Sequence, residues 1–317
     1  MDRVTSAAPQ RIALLGFGLI GGSIAHALAA ARGATPLSRE RPTVVAWSPS
    51  GRGPARAAAE CVIDGAATSI AAALTGADLV IVATPPIETI ALVVRLATDL
   101  HPALASGAVV TDVGSTKAAI VGAATGGGLR FVGGHPMAGR EHSGYEAATA
   151  ELFRDRPWVI VPPNPPDPAA LGLVRWLAIT CGAHPVELAA PEHDAAVAAV
   201  SHLPLIASAA LVEAVAGAPD AGSWERARPL AASGWASMTR LARGDVHMGA
   251  GIAATNAAAI AADLRRYRGV LDAWIAALED PSGPDAAALE RRLASARALL
   301  VDGDSGTLAQ NGADPAR

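Results

Sequence analysis

Three glycines spaced as Gly16-x-Gly18-x-x-Gly21 lie between an apolar run at 12–15 and an Ala-rich stretch at 24–31. That spacing suits a phosphate cradle. Gly16 permits a tight turn off a strand, Gly18 lets the backbone approach a pyrophosphate, and Gly21 lets the next helix pack closely on the strand. The opening amides of that helix, with Leu19 and Ile20, then face the negative phosphates. A dinucleotide implies a hydride acceptor, and with it a substrate held opposite. Ligands of such sheets sit beyond the carboxyl ends of the strands, where three further stretches fall. Thr84-Pro85-Pro86 forms a rigid loop end beside the dinucleotide. Asp112-Val-Gly114-Ser115-Thr116-Lys117 places hydroxyls at a helix start, and residues 133–144 hold His135 between glycines directly after a strand.

The elements that must position these residues follow from the apolar pattern. Strands are expected at 12–15, 43–47, 78–83, 108–112, 130–133 and 158–161, with a short edge strand at 61–63. Helices are expected at 24–31, 54–60 and 87–99, and another is opened by Ser115 or Thr116 as its cap. The alternation predicts an α/β fold whose N-terminal domain, 1–165, is a Rossmann-type doubly wound parallel sheet. A proline-rich hinge at 162–168 closes it. Beyond it the pattern is helical, at 169–181, 191–217, 223–242, 245–279 and 284–301, with a possible short strand at 183–188. Residues 166–301 therefore read as an all-α substrate and dimerisation domain, since helices so rich in alanine and leucine rarely bury everything within one subunit. The small, polar stretch 302–317 reads as a disordered tail.

Composition narrows the partners. Of 317 residues, 51% are hydrophobic but only 3% aromatic, which favours closely packed helices. A net charge of −4 without a basic block argues against nucleic acid. Cys61 and Cys181 are too few and too far apart for a metal site or a disulfide framework, which points to a reducing cytoplasm. Residues 12–31 are apolar enough to imitate a membrane span, but their glycines and His26 argue for a soluble protein.

Gly-Leu-Ile-Gly-Gly-Ser at 18–23, Asp-Val-Gly-Ser-Thr-Lys at 112–117, His-Pro-Met-Ala-Gly at 135–139, Ser-His-Leu-Pro at 201–204 and Thr-Arg-Leu-Ala at 239–242 occur in a telling order. In order and spacing the chain resembles the prephenate/arogenate dehydrogenases of tyrosine synthesis from about residue 11 to 280. The resemblance implies NAD(P)-dependent oxidative decarboxylation of a cyclohexadienol: hydride leaves C4 for the nicotinamide, the 4-hydroxyl loses its proton, and carbon dioxide departs as the ring aromatises. His135 matches the family's catalytic base, a role that suits a group titrating near neutrality. Ser115 matches the serine that orients the hydroxyl, and Arg240 the arginine that grips a substrate carboxylate. Ser201, His202 and Glu141 match substrate-side positions. The substrate could be prephenate, arogenate or 4-amino-4-deoxyprephenate.

Two departures from the family pattern stand out. Leu205 replaces a histidine common after Ser-His-Leu-Pro, and the glycine-rich stretch 243–251 lacks the usual tryptophan. The expected cofactor set is Gly16, Gly18, Leu19, Ile20, Gly21, Ser48, Ser50, Arg52, Thr84, Pro85, Asp112 and Gly114. NAD-binding folds place a carboxylate at the end of the second strand to hold the ribose hydroxyls. Here that place falls to Ser48, and Ser50 and Arg52 could bond a 2′-phosphate, so NADP is put ahead of NAD. A β-hydroxyacid dehydrogenase would need a catalytic lysine in its second domain, and residues 151–317 contain none. A catalytically silent dinucleotide-binding dimer is the reading from another class.

Overall fold

The computed structural model describes residues 8–31, 42–140, 144–217 and 221–311. The first half alternates strands and helices: β1 (Arg11–Leu15), α1 (Leu19–Ala31), β2 (Thr43–Trp47), α2 (Arg52–Ala59), β3 (Gly65–Ala66), α3 (Ile70–Leu74), β4 (Leu79–Val82), α4 (Pro86–Ala97), β5 (Val109–Asp112) and α5 (Ala118–Gly126). β6 (Phe131–Pro136), β7 (Pro157–Val161), α6 (Pro168–Thr180) and β8 (His184–Glu187) complete one eight-stranded sheet of order β3-β2-β1-β4-β5-β6-β7-β8. It is a mostly parallel, doubly wound sheet, with one exception: β7 runs antiparallel to β6.

Alternation along β1 shows why helices cover both faces. Ile12 and Leu14 join the core made with Ile24 and Leu28 of α1 and Val174 of α6. Ala13 and Leu15 point the other way, into the core made with Leu74 of α3, Leu92 and Leu96 of α4 and Ile120 of α5. A strand buried on both faces reads as a continuous apolar run, which is how these strands are written.

Several expectations are corrected. The edge strand lies at Gly65–Ala66, not at 61–63, where Cys61 takes a left-handed φ of 59° that no extended strand accommodates. The sheet also continues beyond the proline-rich hinge, because α6 covers β6 and β7 and β8 pairs with β7.

The second half is helical: α7 (Ala190–Val197), α8 (Leu203–Ala216), α9 (Ala221–Ala227), α10 (Ser233–Met238), α11 (Val246–Thr255), α12 (Ala257–Leu278) and α13 (Ala286–Asn311). The helix expected over 223–242 is broken into α9, α10 and short 3-10 turns, the first of them carrying Pro229. The one expected over 245–279 breaks at Asn256, between α11 and α12. The tail expected to be disordered from 302 is helical to Asn311, and 312–317 lie outside the described residues. The chain forms two compact units, 1–260 and 261–317. In the second, Arg292 stacks on Trp274 with its guanidinium 4.1 Å from the ring centre, joining α13 to α12.

α7 and α8 are joined through a π-turn at Ala198–His202. Pro204 explains it. A proline has no N–H to give the carbonyl four residues back, and its ring crowds that carbonyl, so the helix widens by a turn.

Candidate active site

Strand order reverses between β1 and β4, which opens a crevice at their carboxyl ends. Gly16 makes the turn from β1 with φ 97°, and a Cβ there would lie 2.3 Å from the Ala83 carbonyl oxygen. A Cβ on Gly18 would meet nothing within 4 Å, so the space in front of the helix start is open. The first intrahelical bond is Gly22 N–H to the Gly18 carbonyl, leaving the amides of Leu19, Ile20 and Gly21 at the head of α1. This cradle fits a pyrophosphate. Across the crevice, Pro85 and Pro86 start α4, and the Thr89 hydroxyl fixes the loop by donating to the Thr84 carbonyl at 2.8 Å. At the end of β2, Ser48 and Gly51 close a turn, Ser50 Oγ accepts the Arg52 amide, and the Arg52 side chain is exposed.

The floor of the site is a buried ion pair. Lys117 and Asp112 are both inaccessible to solvent and their side chains are in direct contact. Asp112 also accepts the amides of Gly114 at 2.8 Å and Gly134 at 3.2 Å. A Cβ on Gly134 would stand 2.6 Å from the Asp112 carbonyl oxygen, so β6 can pass this close only as glycine. Burial pushes the Lys117 pKa down, with Asp112 and Asp194 opposing it.

His135 belongs to β6 itself, paired with Val159, rather than to a loop after the strand. Its Nδ1 lies 2.8 Å from Nε2 of His193, and Nδ1 of His193 lies 2.8 Å from Oδ1 of Asp194. The carboxylate fixes every tautomer in this chain. His193 must donate from Nδ1, so its Nε2 accepts. His135 must therefore donate from Nδ1, which leaves its Nε2 with a lone pair. Burial first, then the charges of His193, Lys117 and His202, push the His135 pKa well below 6.5, so it is neutral at pH 7.

Asp194 has a second task. Its oxygens accept the amides of Lys117 at 2.7 Å and Ala118 at 2.8 Å, so it caps α5 from 77 residues away in sequence. The expected caps, Ser115 and Thr116, do not. The Thr116 hydroxyl lies 2.9 Å from that of Thr255, and the half-buried Ser115 hydroxyl bonds no protein group among the described residues. Burial raises the Asp194 pKa, but the His193 bond and the two amides outweigh it and hold the carboxyl below its ordinary value.

Residues 39–187 match the family described as prephenate dehydrogenase, nucleotide-binding domain, and 189–293 match prephenate dehydrogenase, dimerization domain. The glycine turn at 16–21 precedes the first match. The chain is 31% identical to the solved arogenate dehydrogenase of Synechocystis, with a TM-score of 0.72 over 92% of this chain and 99% of that one. The chain belongs to the prephenate dehydrogenase family. Among curated family members, the prephenate dehydrogenase of Bacillus subtilis is 33% identical over 73% of this chain but only 60% of its own length, so this chain spans less than two thirds of that relative. The prephenate dehydrogenase of Aquifex aeolicus, solved with hydroxyphenyl propionate and NAD+, shares the fold at a TM-score of 0.79 and 23% identity.

The residues that the family motifs single out are distributed unevenly. His202 ends the π-turn, is 1% exposed, and receives the Asn256 amide on Nδ1 at 3.1 Å. Burial pushes its pKa down to about 4, with Asp194 opposing and His193 adding to the fall. Ser201, its neighbour, is exposed. Arg240 is exposed on the turn after α10, a segment tied to α8 because Ser208 Oγ accepts the Ala242 amide and donates to the Met238 carbonyl. Glu141 lies outside the described residues. Leu205 is half-buried, 3.7 Å from where a Cβ on Gly249 would stand.

Sequence reasoning missed His193, Asp194 and Asn256, and gave Lys117 no role. A signal was present: His193-Asp194 is a polar pair directly before the apolar run Ala195–Val200.

Proposed function

We infer that this chain oxidatively decarboxylates a cyclohexadienol of the prephenate or arogenate type, with His135 Nε2 accepting the proton of the 4-hydroxyl. The observation that carries this is the hydrogen-bonded chain His135–His193–Asp194, which leaves one imidazole nitrogen as a lone-pair base. When bound, the dinucleotide supplies the hydride acceptor. The amides of Leu19, Ile20 and Gly21 would hold its pyrophosphate and Thr84 and Pro85 would line the crevice opposite, while Asp112 and Gly114, both buried, would support that wall from behind. Ser115, at the mouth of the Asp112 loop, orients the substrate hydroxyl. Arg240 grips a substrate carboxylate, Ser201 and His202 stand on the substrate side, and Glu141 is the acidic residue of the site entrance. The deciding assay crosses prephenate, arogenate and 4-amino-4-deoxyprephenate with NAD and NADP. Saturable reduction with at least one substrate is expected. Dinucleotide binding without reduction by any of them would instead support a silent sensor.

Arg240→Gln should mainly raise KM, by about 1.5–3 kcal/mol of lost charge-assisted bonding, and leave kcat within a few-fold. An unchanged KM would place Arg240 outside the pocket.

NADP is the proposed cofactor over NAD, because the turn after β2 offers Ser48, Ser50 and the exposed guanidinium of Arg52 and no carboxylate. Arg52→Ala should lower kcat/KM for NADP about tenfold or more and leave NAD nearly unchanged. A tenfold native preference for NAD would contradict this.

A homodimer through the helical half is supported by the match to a dimerization domain and by exposed Val270, Leu271 and Ile275 on α12. The helix over Ala190–Ala216 is long and apolar enough to cross a membrane by length and composition. Its His193, Asp194 and His202 are nonetheless turned into the protein, and a dimer interface accounts for its apolar remainder.

A further inference from the structure

We propose that His193 is a way-station for the substrate's proton: His135 takes the proton and passes its own to His193, where Asp194 stabilises it. The inference rests on the reading of His135 as the base and adds where the charge resides.

Geometry supplies the path. His135 Nδ1 and His193 Nε2 are 2.8 Å apart, a transfer distance needing no rearrangement, and the next atom on the line is a carboxylate oxygen at 2.8 Å. His193 is wholly buried, so a proton placed there is shielded from solvent. The two imidazoles differ in their charged neighbours. His202 lies near both, but Lys117 is near His135 and, among the described residues, no carboxylate is bonded to it, whereas His193 is bonded to Asp194. Asp112, a second buried carboxylate at the site, is engaged by Lys117 and two amides. A positive charge is therefore favoured one imidazole deeper than the base.

The bookkeeping closes. The substrate O–H bond breaks and its proton bonds to His135 Nε2, while the Nδ1–H proton of His135 moves to His193 Nε2. The oxygen's electron pair forms the carbonyl at C4 as hydride leaves C4 for the oxidised dinucleotide. The pair of the breaking bond to carbon dioxide then aromatises the ring and returns to oxygen as phenolate. That oxygen retakes its proton as the relay runs backward. No net proton is released, so a parking place is needed only while hydride and carbon dioxide depart.

His193→Gln tests this, since an amide oxygen can accept from His135 Nδ1 but cannot take its proton. We expect kcat to fall about tenfold or more with KM for substrate and dinucleotide little changed. The acid limb of the kcat/KM profile should also move to lower pH, because protonation no longer spreads over two imidazoles. A purely structural role lowers kcat without moving that limb. An unmoved limb, or kcat within twofold of the native enzyme, overturns the relay. Should His193→Gln fail to fold, Asp194→Asn is read in the same way. Proton NMR of the native enzyme needs no substitution at either position: a far-downfield bridging proton is expected, lost in His135→Asn, and its absence counts against the relay. If His135→Asn itself keeps turnover, the base assignment fails. If it abolishes turnover while His193→Gln leaves kcat and limb unchanged, only the relay fails.

Discussion

Replacing His135 with asparagine is expected to lower kcat by roughly two to four orders of magnitude, the usual worth of a positioned general base. Asparagine can still bond His193, so β6 and the crevice should persist, and dinucleotide affinity should stay within about twofold. The effect should appear in kcat and kcat/KM alike, because the lost interaction is made in the transition state. Since the site depresses the His135 pKa, activity in the native enzyme should persist to pH values below 6.5 before protonation removes the base. Steady-state kinetics with stopped-flow dinucleotide binding checks both halves. Near-native turnover in His135→Asn would remove His135 from the chemistry.

The second large effect concerns stability. Lys117→Ala should destabilise the protein by about 3–5 kcal/mol, because it strands Asp112 as an unpaired buried carboxylate. Total stabilities of about 5–15 kcal/mol make that loss severe. Removing both charges should cost far less. Lys117→Met with Asp112→Asn keeps an oxygen for the Gly114 amide, gives up the longer bond to Gly134 and leaves no charge to solvate. Urea unfolding of the two variants separates pairing from packing. A loss under about 1 kcal/mol in Lys117→Ala would mean that Asp112 reaches solvent or a proton by another route.

Both effects depend on contacts that sequence order hides. The central strands of the sheet were legible because each is a short apolar run, unlike β3 (Gly65–Ala66) at one edge and β8 (His184–Glu187) at the other, and the dinucleotide turn because three glycines fall between a strand and a helix. His135 was legible from its neighbours, though its place inside β6 was not: Gly133 and Gly134 look like loop residues until Asp112 is seen to need a strand without a Cβ beside it. The cap of α5 was misread for a related reason. Ser115 and Thr116 have the right chemistry at the right distance, yet Asp194, far along the chain, supplies both bonds. Local propensity cannot register a partner that only the tertiary fold delivers. The break at Asn256 follows the same logic, since its amide bonds the Asp194 carbonyl and His202 rather than continuing a helix face.

The central claim is that hydride transfer and loss of carbon dioxide are one reaction carried out with His135 as base. The most direct measurement follows carbon dioxide and reduced dinucleotide together in a single turnover with ring-carboxyl-labelled substrate. The account predicts equal amounts of the two, released with the same time course, and both slowed by roughly two to four orders of magnitude in His135→Asn. Reduced dinucleotide without carbon dioxide, or both products from the His135 variant at the native rate, would contradict it.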